Sequence, residues 1–352
     1  MWDAIVVGAG PAGAVASFVL AREGYRTLLA DRLKDDGCKF GEALPGSAVR
    51  LLRSLGLPTP EADGPHTSIG GTLSSWNSDT LLASDAIRDP HGPGWRLDRK
   101  RFDADLRHAA TTAGAIYRAD DVSDLQRRDD GWEVRFGGGG TECTRWIVDA
   151  SGRRAAVARR LRVGRIRDRG LIAFYATGRS DSNFRLDRTI IEAVPGGWWY
   201  AARLPSGAPV AGFHTDARTA AHLRGDPGAW LEALTKTRHV ARIVSPAQFE
   251  APARAIDARG ARLSSVAGQG WIACGDAAIC FDPVSGQGIF SALHSGYASG
   301  MAVIDALDRG TAKLDAYSSQ MNEVWDIYRK RLQAIYRDVR RWPADGFWSL
   351  QS

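Results

Sequence analysis

Residues 3–14 read DAIVVGAGPAGA, and the rest of the chain is organised around this stretch. Asp3 to Val7 is a short apolar run of strand type that breaks into Gly8, Gly10 and Gly13, spaced G-x-G-x-x-G with Ala12 among them. Gly8 suits a tight turn, Gly10 lets the backbone approach a pyrophosphate, and Gly13 permits close packing of a helix on a strand. An apolar-periodic helix follows to about Glu23, Gly24 stops it, and YRTLLA forms a second strand ending at Asp31-Arg32. The amino end of that helix turns free N–H groups and a positive dipole toward a phosphate. Asp31 stands eighteen residues beyond Gly13, where a carboxylate accepts hydrogen bonds from a ribose diol. Together Gly8, Gly10, Ala12, Gly13, Asp31 and Arg32 predict a dinucleotide site. The motif alone leaves nicotinamide and flavin dinucleotides both open.

A second motif separates them. Gly275-Asp276 closes the apolar run GWIACGDAA, and Asp282-Pro283-Val284-Ser285-Gly286-Gln287-Gly288 runs straight into a helix. The Asp276 carboxylate is placed to bind ribitol hydroxyls. The helix amino end at Gly286, Gln287 and Gly288, after Pro283, would stabilise negative charge on a reduced flavin. Two such loops at opposite ends of the sequence predict one extended ligand, FAD.

Between the loops the chain reads as an α/β protein. A helix opens at Pro45 and stops at Gly56, residues 58–93 read as loops and short strands anchored by Trp76, and residues 97–115 form an amphipathic helix. Strands are expected at 116–127, 132–137 and 145–152. LIAFYAT, TIIEAV, GWWYAARL and PVAGFHT then read as consecutive antiparallel strands, interrupted by one helix at about 227–236. Long helices are expected at 285–307 and from Lys313 to about Arg341. The expected architecture is a Rossmann-like FAD-binding domain of glutathione-reductase type, with an inserted antiparallel β-sheet domain and a C-terminal helix. Its parts are 1–68, 95–165 and 260–312 for the cofactor, 69–94 and 166–259 for the substrate, and 313–352 for the tail.

Whole-chain properties exclude other classes. The 352 residues carry a net charge of +6, mostly as arginine concentrated at 153–169 and 328–342. Neither a nucleic-acid-binding motif nor an aromatic stacking platform accompanies this charge, so no nucleic-acid partner is expected. No run of about eighteen apolar residues occurs, so no membrane span is expected. MWDAIVVGAG lacks a basic leader and a cleavage site, which makes the cytoplasm the expected compartment. Cys38, Cys143, Cys274 and Cys280 have no metal spacing and read as free thiols, with no metal site expected.

VVGAGPAGA, RKRFDADL (99–106), VDASGRR and GDAAICFDPVSGQG resemble the flavoprotein monooxygenases of the p-hydroxybenzoate hydroxylase type. That superfamily includes flavin-dependent halogenases and geranylgeranyl reductases. The resemblance implies that Arg99 contacts the FAD phosphate region and that NAD(P)H docks transiently as external reductant. It implies oxygen insertion through a C4a-hydroperoxyflavin into an electron-rich indole or phenol ring. The family's DG dipeptide is spread here to Asp149-Ala-Ser-Gly152. A narrower likeness lies in KFGEALP (39–45), GWWYAARLP (197–205) and WPADGFW (342–348). These are similar to flavoproteins that oxidise tryptophan side chains during assembly of peptide-derived quinone cofactors. The substrate is then either a small aromatic molecule or a peptide or protein. Halogenation and double-bond reduction are the other readings. The halogenase signature is absent, since Trp198-Trp199-Tyr200 lacks the Trp-x-Trp-x-Ile-Pro pattern and no lysine lies between Lys39 and Lys100.

Five residues are candidates for the substrate side. Trp198 and Tyr200 alternate with Trp199 along a strand, so the first two share one face. His214 ends a strand of the same sheet. Lys39 and Glu42 follow the second-strand region as a charged pair able to orient or polarise substrate.

Overall fold

The computed structural model describes residues 1–32, 39–180, 185–226, 228–250 and 253–351. Cys38 and Pro227 lie outside the described residues. The Trp2–Val7 strand sits inside a mostly parallel sheet, with Thr27–Ala30 on one side and Thr141–Asp149 on the other. Ile116–Arg118 continues beyond Thr27–Ala30, and Trp271–Ala273 beyond Thr141–Asp149, also in parallel. Both faces of the central strand are covered, which is why it reads as a continuous apolar run and does not alternate. The hairpin Val122–Arg128 and Gly131–Phe136 branches from Thr141–Asp149.

The helix Pro11–Arg22 begins with proline at its first position, where the missing N–H costs no hydrogen bond. It packs against the long helix Gly288–Asp308, and glycine makes the approach close. A Cβ at Gly296 would lie 2.4 Å from the Ala12 carbonyl oxygen. This contact brings the two helix amino ends, and so the two glycine-rich turns, to one side of the parallel sheet.

The second sheet has seven strands, in the order Arg254–Asp257, Ile172–Thr177, Pro209–Thr215, Gly197–Arg203, Arg188–Val194, Gly71–Ser75 and Leu82–Asp85. It differs from the expected all-antiparallel sheet at one place. Gly71–Ser75 pairs in parallel with Arg188–Val194, because it enters from a segment more than a hundred residues earlier. The single expected helix is instead three, Ala217–Gly225, Ala229–Thr235 and Val240–Ile243. They cover one face of the sheet, where Trp199, Phe213, Trp230 and Phe249 form an apolar cluster. On the opposite face a second cluster contains Trp198, Tyr175, Tyr336, Phe347 and Trp348. The tail helix Ala312–Arg337 supplies Tyr336, and the chain then folds back so that Gly346–Gln351 caps this face. The tail helix ends at Arg337, before the expected Arg341.

Candidate active site

The glycine turn is built as its spacing predicts. A Cβ on Gly13 would fall 1.8 Å from the Gly8 carbonyl oxygen, so only glycine lets the helix sit this close to the strand end. Gly10 has no neighbour within 4 Å of its Cβ position, and it caps the helix without a side-chain bond. The first helical N–H groups therefore face open space. The backbone N–H of Ala9 donates to Asp31 Oδ2 at 2.7 Å, which fixes the carboxylate beside the turn. Arg107, which sequence reasoning did not single out, donates to the Ala9 carbonyl at 3.4 Å. Arg32 turns away to pair with Asp121 at 3.0 Å.

The second turn has the same open character. Gly286 adopts φ 62°, and neither it nor Gly288 has a neighbour within 4 Å of a Cβ position. Gly286, Gln287 and Gly288 are exposed at the start of the helix, while Pro283 opens the short turn before it. Asp276 lies 3.7 Å from Arg153 Nε, and its side chain is 38% exposed. Burial of its surroundings raises its pKa, opposed by Arg153, Arg165 and Arg99. Arg153 also donates to the carbonyls of Arg259 and Phe281, and Arg165 to that of Asp276, so two arginines hold this loop in place.

Arg99 donates to the Gly41 carbonyl at 2.6 Å and to both oxygens of Asp103. Lys39 reaches the same Asp103 at 3.0 Å. Lys39 and Glu42 are therefore not partners, contrary to their reading as a pair: the buried Asp103 draws the lysine away. Asp149 accepts from Ser151, Val157 and Ala158 and anchors the start of the helix Ala156–Arg160.

Glu42 is 2% exposed and is held by two groups. Tyr200 donates to its Oε1, and Arg96 Nη1 lies 3.4 Å from the same oxygen. Arg96 also donates to the Tyr200 hydroxyl at 2.7 Å and to Thr189 Oγ1 at 2.8 Å. Burial and the carboxylate push the Tyr200 hydroxyl far up, so it stays a proton donor. His214 stacks on Trp198, with ring centroids 3.6 Å apart and planes 2° from parallel. Its Nε2 bonds the Tyr175 hydroxyl at 2.7 Å, while Nδ1 has no well-formed hydrogen bond and only the Trp198 backbone nearby. Burial lowers its pKa to about 3, so the imidazole is neutral at physiological pH. Phe40 stacks on Tyr175 at 4.5 Å.

The two halves meet through Asp282, a residue of the second glycine-turn motif whose role the motif's spacing does not reveal. Asp282, 3% exposed, accepts from Tyr336 at 2.8 Å and from the Val284 backbone at 2.9 Å. Trp198 Nε1 donates to that same Tyr336 hydroxyl at 3.1 Å. A hydrogen-bonded path thus joins the turn before Gly286 to the aromatic face of the sheet. Burial raises the Asp282 pKa to about 7. Beside Gly286 opens a cleft of about 530 Å3. Its lining includes Ala43, Pro45, Thr72, Ser84 and Thr189.

A family of proteins described as "FAD binding domain" matches residues 1–328. The chain belongs to this family. It is an FAD-dependent oxidoreductase, and its open glycine turns, the Asp31 carboxylate and the half-exposed Asp276 fit the two ends of that cofactor. The putative FAD-dependent oxidoreductase LodB of Marinomonas mediterranea is 30% identical over 357 aligned positions, covering 99% of this chain and 96% of that protein. A digeranylgeranylglycerophospholipid reductase of Methanothrix thermoacetophila is 28% identical over 349 positions, covering 91% and 83%. Among solved structures, the peptidyl tryptophan dihydroxylase QhpG, essential for tryptophylquinone cofactor biogenesis, superposes with a TM-score of 0.80 at 22% identity, covering 99% and 78%. The flavin-dependent halogenase CmlS superposes with a TM-score of 0.87 at 22% identity, covering 99% and 67%. These two likenesses concern the fold. Among the described residues, no helix is long and apolar enough to cross a membrane, and no group of three His, Cys, Asp or Glu is placed to hold a metal ion.

Proposed function

We propose that this flavoprotein is a monooxygenase that hydroxylates an indole ring, the tryptophan side chain of a peptide or protein being the preferred form of substrate. The observation that carries this reading is the cleft beside Gly286. It is open along the rim Arg88 to His91, where all four residues are exposed, so an extended chain can reach it from solvent. The activity of QhpG, a peptidyl tryptophan dihydroxylase, is consistent with such an opening.

Bound FAD, reduced by NAD(P)H, would supply the electrons that activate dioxygen for transfer to the ring. Gly8, Gly10, Ala12, Gly13 and Asp31 would hold the ADP half, Asp276 the ribitol, and the helix start at Gly286–Gly288 the flavin's negative charge. Arg99 would act indirectly, by fixing the Gly41 carbonyl and the segment before Glu42. Glu42, Tyr200 and Arg96 would form a fixed hydrogen-bonding wall at the cleft, reached through Thr189. Trp198, Tyr175 and Phe40 exclude water on the sheet side, and neutral His214 keeps the Tyr175 hydroxyl in place.

The test is NADH oxidation by the FAD-loaded protein with N-acetyltryptophanamide and with tryptophan-containing peptides, in the presence and absence of chloride and bromide. Acceleration by the indole without halide supports the proposal. Product formation only with halide would replace it with halogenation.

A further inference from the structure

The seven-stranded sheet ends in two unlike edges. Arg254–Asp257 carries an arginine and an aspartate at its ends, with Asp257 paired to Arg259 at 2.9 Å. Charges of this kind protect an edge from unwanted pairing. Leu82–Asp85 carries no such protection. Leu82, Ala83 and Ser84 form an uncharged, exposed run, and the one charge, Asp85, stands at its end, paired with Arg188 of the same sheet. Leu82 is 57% exposed, and Ile87 just beyond it 91%.

The register shows which backbone groups have no partner among the described residues. Ala86 N–H donates to the Gly70 carbonyl at 3.0 Å, and Ser84 is opposite Thr72. In an antiparallel pair hydrogen-bonded and open positions alternate. Leu82 and Ser84 therefore bond inward to Ser74 and Thr72, while the N–H and C=O groups of Ala83 and Asp85 point outward. This same edge borders the cleft: Ser84, Thr72 and Thr189 stand abreast on three adjacent strands and line it together with Gly286.

Resting on the peptidyl-tryptophan reading above, we propose that the substrate docks as an added β-strand along Leu82–Asp85. Its backbone pairs with Ala83 and Asp85, and its apolar side chains cover Leu82 and Ile87. A tryptophan opposite Ser84 would share the Thr72–Ser84–Thr189 face and so project over the cleft. Main-chain bonds then supply affinity for any extended segment, and the cleft selects the aromatic side chain.

Ala83→Pro tests this, because proline removes an outward N–H and no bond to Gly71–Ser75. The probes are acetylated heptapeptides with a central tryptophan and randomised flanks, and N-acetyltryptophanamide, which has no strand to add. Ala83→Pro should lower kcat/KM for the peptides about tenfold, as loss of one backbone hydrogen bond predicts. The amide should change far less. With the wild-type protein, N-methylation of peptide amides of one parity should abolish turnover and of the other parity be tolerated, a readout independent of the variant's folding. Peptides oxygenated equally well by Ala83→Pro and after methylation at either parity would overturn strand docking and leave tryptophan oxidation standing. Turnover of the amide but of no peptide would overturn docking and point to a small aromatic substrate. Turnover of neither would overturn the proposed function, and docking with it.

Discussion

Replacing Glu42 by glutamine probes the buried Glu42–Arg96 pair without changing its shape. In the folded protein Glu42 and Arg96 are each 2% exposed, and among the described residues no second carboxylate is hydrogen-bonded to that guanidinium. Glutamine keeps an oxygen for the Tyr200 hydroxyl, and Arg96 keeps its bonds to Tyr200 and Thr189. What is lost is the negative charge, so a buried cation stands alone. Removing one member of a buried pair costs roughly 3–5 kcal/mol. The retained hydrogen bonds place Glu42→Gln at the lower end, about 3 kcal/mol, a large share of the ~5–15 kcal/mol stability of a folded protein. Urea titration of the FAD-loaded protein, followed by tryptophan fluorescence and flavin release, measures it. The double variant Glu42→Gln/Arg96→Met removes the stranded charge and should recover much of the loss. A Glu42→Gln cost below about 1 kcal/mol, or strictly additive single variants, would show that the two charges do not balance each other.

Gly13→Ala forces a Cβ to within 1.8 Å of the Gly8 oxygen and should yield protein that folds poorly and retains little FAD. Gly10→Ala meets nothing within 4 Å, so the flavin-stripped protein should melt as the wild type does while FAD affinity, measured by fluorescence titration, falls. Asp282 has a folded-state pKa of about 7 against an ordinary 3.8, a difference of ~4 kcal/mol. The raised value means that its protonated form favours the folded state. That contribution is full below about pH 4 and is lost as pH climbs through 7. Asp282→Asn should therefore flatten the fall in thermal midpoint between pH 5 and pH 8. Trp348→Ala removes a side chain that is 2% exposed and its bond to the Val194 carbonyl, and should cost roughly 3–5 kcal/mol by denaturant titration.

The cofactor end of the molecule was legible because its constraints are local. Gly8, Gly10 and Gly13 follow one strand directly, and Asp31 ends the next, so spacing alone brings them together. Period-two alternation likewise separated Trp198 and Tyr200 from Trp199, which packs on the other face with Trp230. What escaped depends on contacts distant in the chain. Arg96 is one of several arginines around residue 100, and nothing nearby marks it as the buried one. Asp282 is enclosed by Tyr336 from the tail helix, 54 residues on. Gly71–Ser75 lacks apolar alternation, and its parallel partner is remote. Lys39 illustrates the reverse failure: adjacent in sequence to Glu42, it is claimed by Asp103 on a helix 64 residues away.

On the proposed function, a flavin-dependent oxidation at this cleft places an oxygen atom from O2 on an indole ring. Mass spectrometry of the product formed by the FAD-loaded protein with NADH, a tryptophan-containing peptide and 18O2 tests it most directly. Each oxygen added to the tryptophan residue should carry the 18O label, in chloride-free buffer as well. Unlabelled product, a halogenated ring, or NADH oxidation that leaves every peptide unchanged would contradict it.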